Sequence, residues 1–293
     1  MKILLFGSNT YPANFFLKNI NQSFDVTIFD KKFEHTDIFD LDNDLFYKKY
    51  FLSFDEDFEC SLNFIHIHNV SICSEIEINK KLSEKMFFSF NKMKIKKNIY
   101  ISSVNSYTDT KTEYGRSKLT CEEIYKSLER FIIIRPSTII EIDYEKKIIK
   151  GGKKGKSFNG LNTIISKFFI IPVPDFGKYS QTVCFGSDLA KFIDYAIVNN
   201  YFDNKIINFY TGEAISYNKF LDIYFNFKKI KRIKFYIPKI LITTTLKFLK
   251  MIFKDLNISN KNIDNLSNQK IEFDFTEEIK KKIKLKKFNN INL

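Results

Sequence analysis

The chain has 293 residues, 44% of them hydrophobic and 33 of them Phe, enough for one large domain or a domain with a smaller lobe around a sizeable core. The formal net charge of +13 suggests a nucleic-acid partner, but only four of the 47 basic residues are Arg, and Lys, Asn, Ile and Phe are enriched together, as an AT-rich coding sequence produces. No run of about 18 uncharged apolar residues is present, and the short apolar run after Lys2 suits a first strand better than a signal peptide. The four cysteines (Cys60, Cys73, Cys121, Cys184) form no CxxC pair, so reduced thiols in a cytoplasmic protein are expected, without zinc.

Apolar runs predict strands at 2–7 (KILLFG), 24–30 (FDVTIFD), 60–68 (CSLNFIHIH), 97–103 (KNIYISS) and 130–136 (RFIIIRP). Their near-continuous apolar character fits parallel strands covered on both faces. Helical patterns lie between them, notably 78–94 and 115–129. The alternation predicts an α/β fold, a Rossmann-type doubly wound parallel sheet. The basic, glycine-rich stretch 151–160 (GGKKGKSFNG) reads as a flexible boundary. A helix is expected over 187–199, a strand over 205–212, and a basic helical region beyond. The Lys-rich C-terminal third has the charge to touch anionic lipid or an acidic partner. Within it, 237–256 reads as an interfacial amphipathic helix or, preferably, as a helix packed on a smaller lobe.

The first βα turn, FGSNTYPANFF (6–16), has the order of a dinucleotide-binding turn but keeps one glycine. Gly7 serves the tight turn. Thr10 stands where backbone must approach a phosphate, and its hydroxyl is able to donate to a phosphate oxygen. Ala13 stands where a third glycine lets the helix pack. Tyr11 and Pro12 open the helix, a position that suits proline. Asp30, at the end of the second strand, is placed to accept from ribose hydroxyls, which favours NAD. Lys31 and Lys32 follow and keep NADP open by offering charge to a 2′-phosphate.

Tyr114 and Lys118 share a helix face, with Ser103 at the end of the preceding strand. A nearby ammonium favours phenolate, and the tyrosine can then exchange a proton with a substrate hydroxyl. The YxxxK spacing occurs four times, so spacing alone decides nothing. Only Tyr114/Lys118 opens a helix-like stretch between a strand ending in SS and one ending in RP. His35, His66 and His68 show no metal-ligand partner at useful spacing, and no metal site is expected. The acidic DLDND (40–44) lacks what a calcium loop needs and reads as a helix start.

Taken together, the chain resembles the NAD-dependent epimerase/dehydratase family, the extended short-chain dehydrogenases/reductases. YISSVNSY (100–107) is similar to its strand with the catalytic serine, and YGRSKLTCEE (114–123) to its active-site helix. This implies catalytic roles for Ser103, Tyr114 and Lys118, with Lys118 also binding the nicotinamide ribose. IIIRPSTII (132–140) is similar to the next strand and turn, implying that Arg135 and Pro136 lie beside the substrate entrance and the cofactor. TDIFD (36–40) places Asp37 where the family contacts adenine. FIHIHNVS (64–71) parallels its fourth strand and puts His66 against the cofactor, with His68 and Asn69 where small residues usually lie. The stretches 173–197, with Asp188, and 207–223 resemble its substrate loop and the start of its last substrate-lobe helix.

The resemblance implies a Rossmann domain over 1–140 with 181–212 returning to it, and a smaller substrate-binding lobe over 141–180 and 213–293. It implies NAD or NADP as cofactor, a nucleotide-sugar substrate and, commonly in such families, a helix-mediated homodimer. Val104 and Asn105 after Ser103 argue against 4,6-dehydration and leave an epimerase or a ketoreductase. The rival reading is a non-catalytic dinucleotide-binding scaffold, motivated by the crowded glycine turn. Nucleic-acid binding rests on charge alone and is not expected.

Overall fold

The structure is a computed structural model. It describes residues 1–29, 31–54, 57–68, 73–108, 110–151, 159–177, 180–211, 214–238 and 282–285. In chain order the elements begin β1 (Lys2–Phe6), α1 (Tyr11–Asn19), β2 (Asp25–Phe29), α2 (His35–Asp40), α3 (Asn43–Tyr50) and β3 (Cys60–Asn63). Next come α4 (Glu75–Lys92), β4 (Lys97–Ile101), α5 (Asn105–Thr108), α6 (Glu113–Tyr125) and β5 (Phe131–Pro136). They are followed by β6 (Thr138–Asp143), β7 (Ile148–Gly151), α7 (Asn159–Lys167), β8 (Ile170–Pro174), β9 (Ser180–Gln181) and β10 (Val183–Phe185). The last are α8 (Gly186–Val198), β11 (Lys205–Phe209), β12 (Ile215–Ser216), α9 (Tyr217–Lys228) and β13 (Ile233–Ile237).

Two compact units result. The first holds residues 1–137, 186–209 and, among the described residues, 282–283, and is built on a six-stranded sheet of order β11-β5-β4-β3-β1-β2. Every neighbouring pair in it is parallel. Strand alternation explains the apolar runs. Leu4 and Phe6 face one core cluster, which α2, α3, α4 and α6 complete. Ile3 and Leu5 point the other way and are just as fully buried. Much of the phenylalanine excess goes into one network, in which Phe29 stacks on Phe33, Phe51 and Phe54.

β3 is shorter than its apolar run suggests. Beyond Asn63, the Asn63 side-chain oxygen accepts from the Ile65 amide at 2.7 Å and turns the chain out of the ladder. The DLDND segment starts a helix, with Asp42 capping α3 by accepting from Leu45 N at 2.8 Å.

The second unit holds 138–185 and, among the described residues, 210–238 and 284–285. Its sheets are β10-β6-β7, β9-β12 and β8-β13. One face of α9 buries Phe220, Leu221, Tyr224, Phe225 and Phe227 in its core. The division falls at Ser137/Thr138, where a β6–β7 hairpin begins one residue after β5 and the sequence shows no punctuation except Pro136. Most of the glycine-rich stretch 151–160 lies outside the described residues. Most of 237–256, read from the sequence as an amphipathic helix, lies outside the described residues. Among the described residues no helix is long and apolar enough to cross a membrane.

Gly7 has φ +75°, and a Cβ there would stand 3.0 Å from the Ile65 amide nitrogen. Both the backbone and the approach of the 64–68 segment demand glycine. Gly7→Ala is expected to lower stability by about 1–3 kcal/mol in urea unfolding, and an unchanged midpoint would refute this.

Candidate active site

Connections from the sheet part company between β1 and β3. β1 leads through α1 to β2, whereas β3 leads through α4 to β4. In open α/β sheets, ligands bind outside the strand ends at such a switch point. The Gly7 turn lies there. Thr10 N donates to Gly7 O at 3.0 Å, and Thr10 is the N-cap of α1, with Pro12 in the first turn. No acidic residue occupies that turn. The Thr10 hydroxyl makes no capping bond, is closed to solvent and has no hydrogen-bond partner.

A helix N-terminus with no carboxylate and with an uncommitted hydroxyl suits a diphosphate. Ala13 is fully buried, and Tyr11 packs edge-on against Phe15. Phe15 presses on Gly186 at the start of α8, where a Cβ would stand 2.3 Å from its ring.

Two proposed adenosine-side residues have protein partners. Lys31 Nζ donates to Tyr50 O and Ser53 Oγ at 3.2 and 3.1 Å. Asp37 is buried, and its Oδ2 accepts from Lys49 Nζ at 2.6 Å and from the Tyr50 hydroxyl. The Lys49 bond, then the Tyr50 bond, hold its carboxyl below the usual range. Asp30 lies outside the described residues, as does Asn69.

At the end of β4 the structure brings Ser103 and Tyr114 together. Thr112 caps α6 by accepting from Gly115 N at 3.0 Å, which sets Tyr114 in the first turn. The Ser103 hydroxyl, which accepts from Asn105 N at 3.3 Å, is near enough to the Tyr114 phenol to pull its pKa down. Burial is the larger effect and pushes the phenol up to about 12. Lys118 lies one turn further along α6. Its Nζ donates to the Tyr100 hydroxyl at 3.2 Å and to Ile101 O at 3.0 Å, and burial lowers it to about 8. Two of its three N–H donors are therefore bonded to β4.

The segment after β3 folds over the Tyr114 ring. The His66 ring lies edge-on to it at 5.1 Å, and the His68 ring is stacked on it at 5.4 Å. Both histidines meet Glu75, with His66 Nε2 at 2.8 Å and His68 Nδ1 at 3.3 Å from Oε1. This corrects the expectation that no acid joins them, and with it the ground for expecting no metal site. Glu75 is the first residue of α4, which begins three residues before the apolar pattern suggests. The missed signal is Ser74 with Glu77, a capping-box spacing whose Ser74 hydroxyl accepts from Glu77 N at 3.0 Å.

Arg135 is committed to a partner on α6. Its guanidinium is buried against Glu122, with Nε 3.0 and 3.1 Å from the two carboxylate oxygens. Glu122, itself fully buried, also accepts from the Ser102 and Ser106 hydroxyls. The neighbouring Pro136 is buried too, and its carbonyl accepts from Val104 N at 3.1 Å. A guanidinium inside the protein needs a carboxylate, and the one within reach is on α6. Asp188 is fully buried in the first turn of α8, 3.8 Å from Lys191 Nζ.

The fold recurs among solved structures. UDP-glucuronic acid 4-epimerase from Bacillus cereus in complex with NAD superposes with a TM-score of 0.58 at 14% identity, over 82% of this chain and 88% of that one. For UDP-glucose 4-epimerase from Thermotoga maritima with UDP-glucose the values are 0.58 and 15%, over 81% and 86%. For dTDP-4-dehydrorhamnose reductase from Bacillus anthracis in complex with NADP they are 0.59 and 15%, over 82% and 86%. No family model and no curated protein matches the sequence. This chain has the same α/β Rossmann-type fold as these enzymes.

Removing the carboxylate in Glu122→Ala would leave Arg135 buried and unpaired. It is expected to cost about 3–5 kcal/mol in urea unfolding, most of it recovered in Glu122→Leu/Arg135→Met. The depressed Lys118 pKa gives a second expectation. Above about 8 the folded chain loses this proton while the unfolded chain keeps it to the ordinary lysine range, so the unfolded state binds more protons. The wild type should therefore gain stability relative to Lys118→Met as pH rises from about 8 to about 10, and a loss over that window would contradict the burial.

Proposed function

We propose that this chain is an NAD(P)-dependent epimerase or ketoreductase acting on a nucleotide-activated sugar, of the extended short-chain dehydrogenase/reductase type. The observation that carries the reading is the Ser103–Tyr114 pair at the end of β4, with Lys118 on the same face of α6. The likeness to sugar-nucleotide epimerases and reductases supports it at the level of fold.

The Gly7 turn and the α1 N-terminus, with Thr10, Tyr11 and Pro12, would hold the cofactor diphosphate. The remaining Lys118 N–H would hold a ribose hydroxyl. When bound, the cofactor supplies or accepts the hydride. Ser103 holds the substrate oxygen, and Tyr114 moves a proton to or from it. With a pKa of about 12 the phenol keeps its proton near neutral pH. It therefore serves as a donor to a forming alkoxide, which favours the reductive direction.

A non-catalytic dinucleotide-binding scaffold is the second reading, favoured by the solvent-closed Thr10 hydroxyl and by the bonding of Lys118 to β4. Calorimetry with NAD, NADP and their reduced forms, combined with hydride-transfer assays on a nucleotide-sugar panel, separates the two. For the enzyme, the wild type binds cofactor, and Tyr114→Phe keeps that binding but loses about 10²- to 10⁴-fold in turnover. Cofactor binding with no turnover on any substrate favours the scaffold. Binding seen only in Thr10→Gly means that the turn has closed to its ligand.

A further inference from the structure

We propose that His66, His68 and Glu75 form a binding site for a divalent transition-metal ion of the zinc class. This goes beyond the hydride-transfer reading and does not rest on it. The three side chains offer two imidazole nitrogens and one carboxylate oxygen, all within 4.8 Å of one another. The two His–Glu separations, 2.8 and 3.3 Å, lie close to the ligand-to-ligand spacing of about 3–3.5 Å that bonds of about 2.0–2.2 Å impose around a four-coordinate ion. Two histidines and one carboxylate are a donor set typical of zinc, with a fourth position left for water or substrate.

The scaffold holds two of the three ligands in place. The Glu75 amide donates to Glu113 Oε1 at 2.8 Å, and its carbonyl accepts from the Ser117 hydroxyl at 3.0 Å. The His66 side chain is only 5% exposed, whereas that of His68 is 32% exposed and can close on an ion. Both imidazoles contact the Tyr114 ring, so an ion here would lie beside the residue proposed to move the proton. The competing account is a hydrogen-bonded His–Glu–His cluster that needs no metal.

The test is a titration of chelator-treated full-length protein with Co2+, followed by visible absorption. His68→Ala, Glu75→Gln and Cys73→Ser are titrated in parallel, with circular dichroism reporting folding. The Cys73 variant controls for the separate His35–Cys73 pair, whose Nε2 and Sγ are 3.3 Å apart. The site predicts a one-to-one spectrum displaced by Zn2+. Binding should weaken by more than about tenfold in each of His68→Ala and Glu75→Gln and stay unchanged in Cys73→Ser. Absence of a spectrum in the wild type, or a spectrum that survives in both folded ligand variants, overturns the proposal. Cofactor calorimetry on His68→Ala is read separately, so failure of the metal site and failure of the dinucleotide reading give different results.

Discussion

The buried carboxylate of Glu122 organises the candidate site. It accepts from Arg135 on β5, from Ser102 at the end of β4 and from Ser106 on α5, and it is carried by α6. A charge withdrawn from water costs several kcal/mol unless its lone pairs are filled, so these donors are held in a narrow geometry. Ser102 and Ser106 flank Ser103, and α6 carries Tyr114 and Lys118. One carboxylate thus sets the strand end that bears the serine against the helix that bears the tyrosine and lysine.

A second constraint is the close approach of the segment after β3 to the Gly7 turn. Phe64 N bonds to Phe6 O at 3.0 Å, and the next residue leaves no room for a Cβ on Gly7. The chain then carries His66 and, where the resemblance implies a small residue, His68. Their bulk is accommodated because each meets both Glu75 and the Tyr114 ring. The change that looked like crowding in the sequence is a packed cluster with its own polar partner.

The chemistry of Tyr114 follows from a balance of two effects. Ser103 favours the phenolate, burial opposes it more strongly, and the Lys118 ammonium is bonded away on β4. As it stands, burial keeps the phenol protonated near neutral pH.

Much of the first unit was legible along the chain. Near-continuous apolar runs such as KILLF and FIIIRP can only be satisfied between two layers, which marks a parallel sheet with helices on both faces. The Gly7 turn and the shared face of Tyr114 and Lys118 on α6 were readable because each depends on neighbours a few residues away. Arg135 was not, because which carboxylate a buried guanidinium finds is settled by packing across strands and helices. Glu75 was not, because periodicity dates a helix from its first apolar residue, whereas the N-terminus is set by its cap. By itself the sequence determined the layers, their order and the residue types at the strand ends. Only the tertiary structure decided that Glu122 would hold Arg135 and that two histidines, a glutamate and a tyrosine would share one site, because burial makes each polar group take the partner that folding brings within reach.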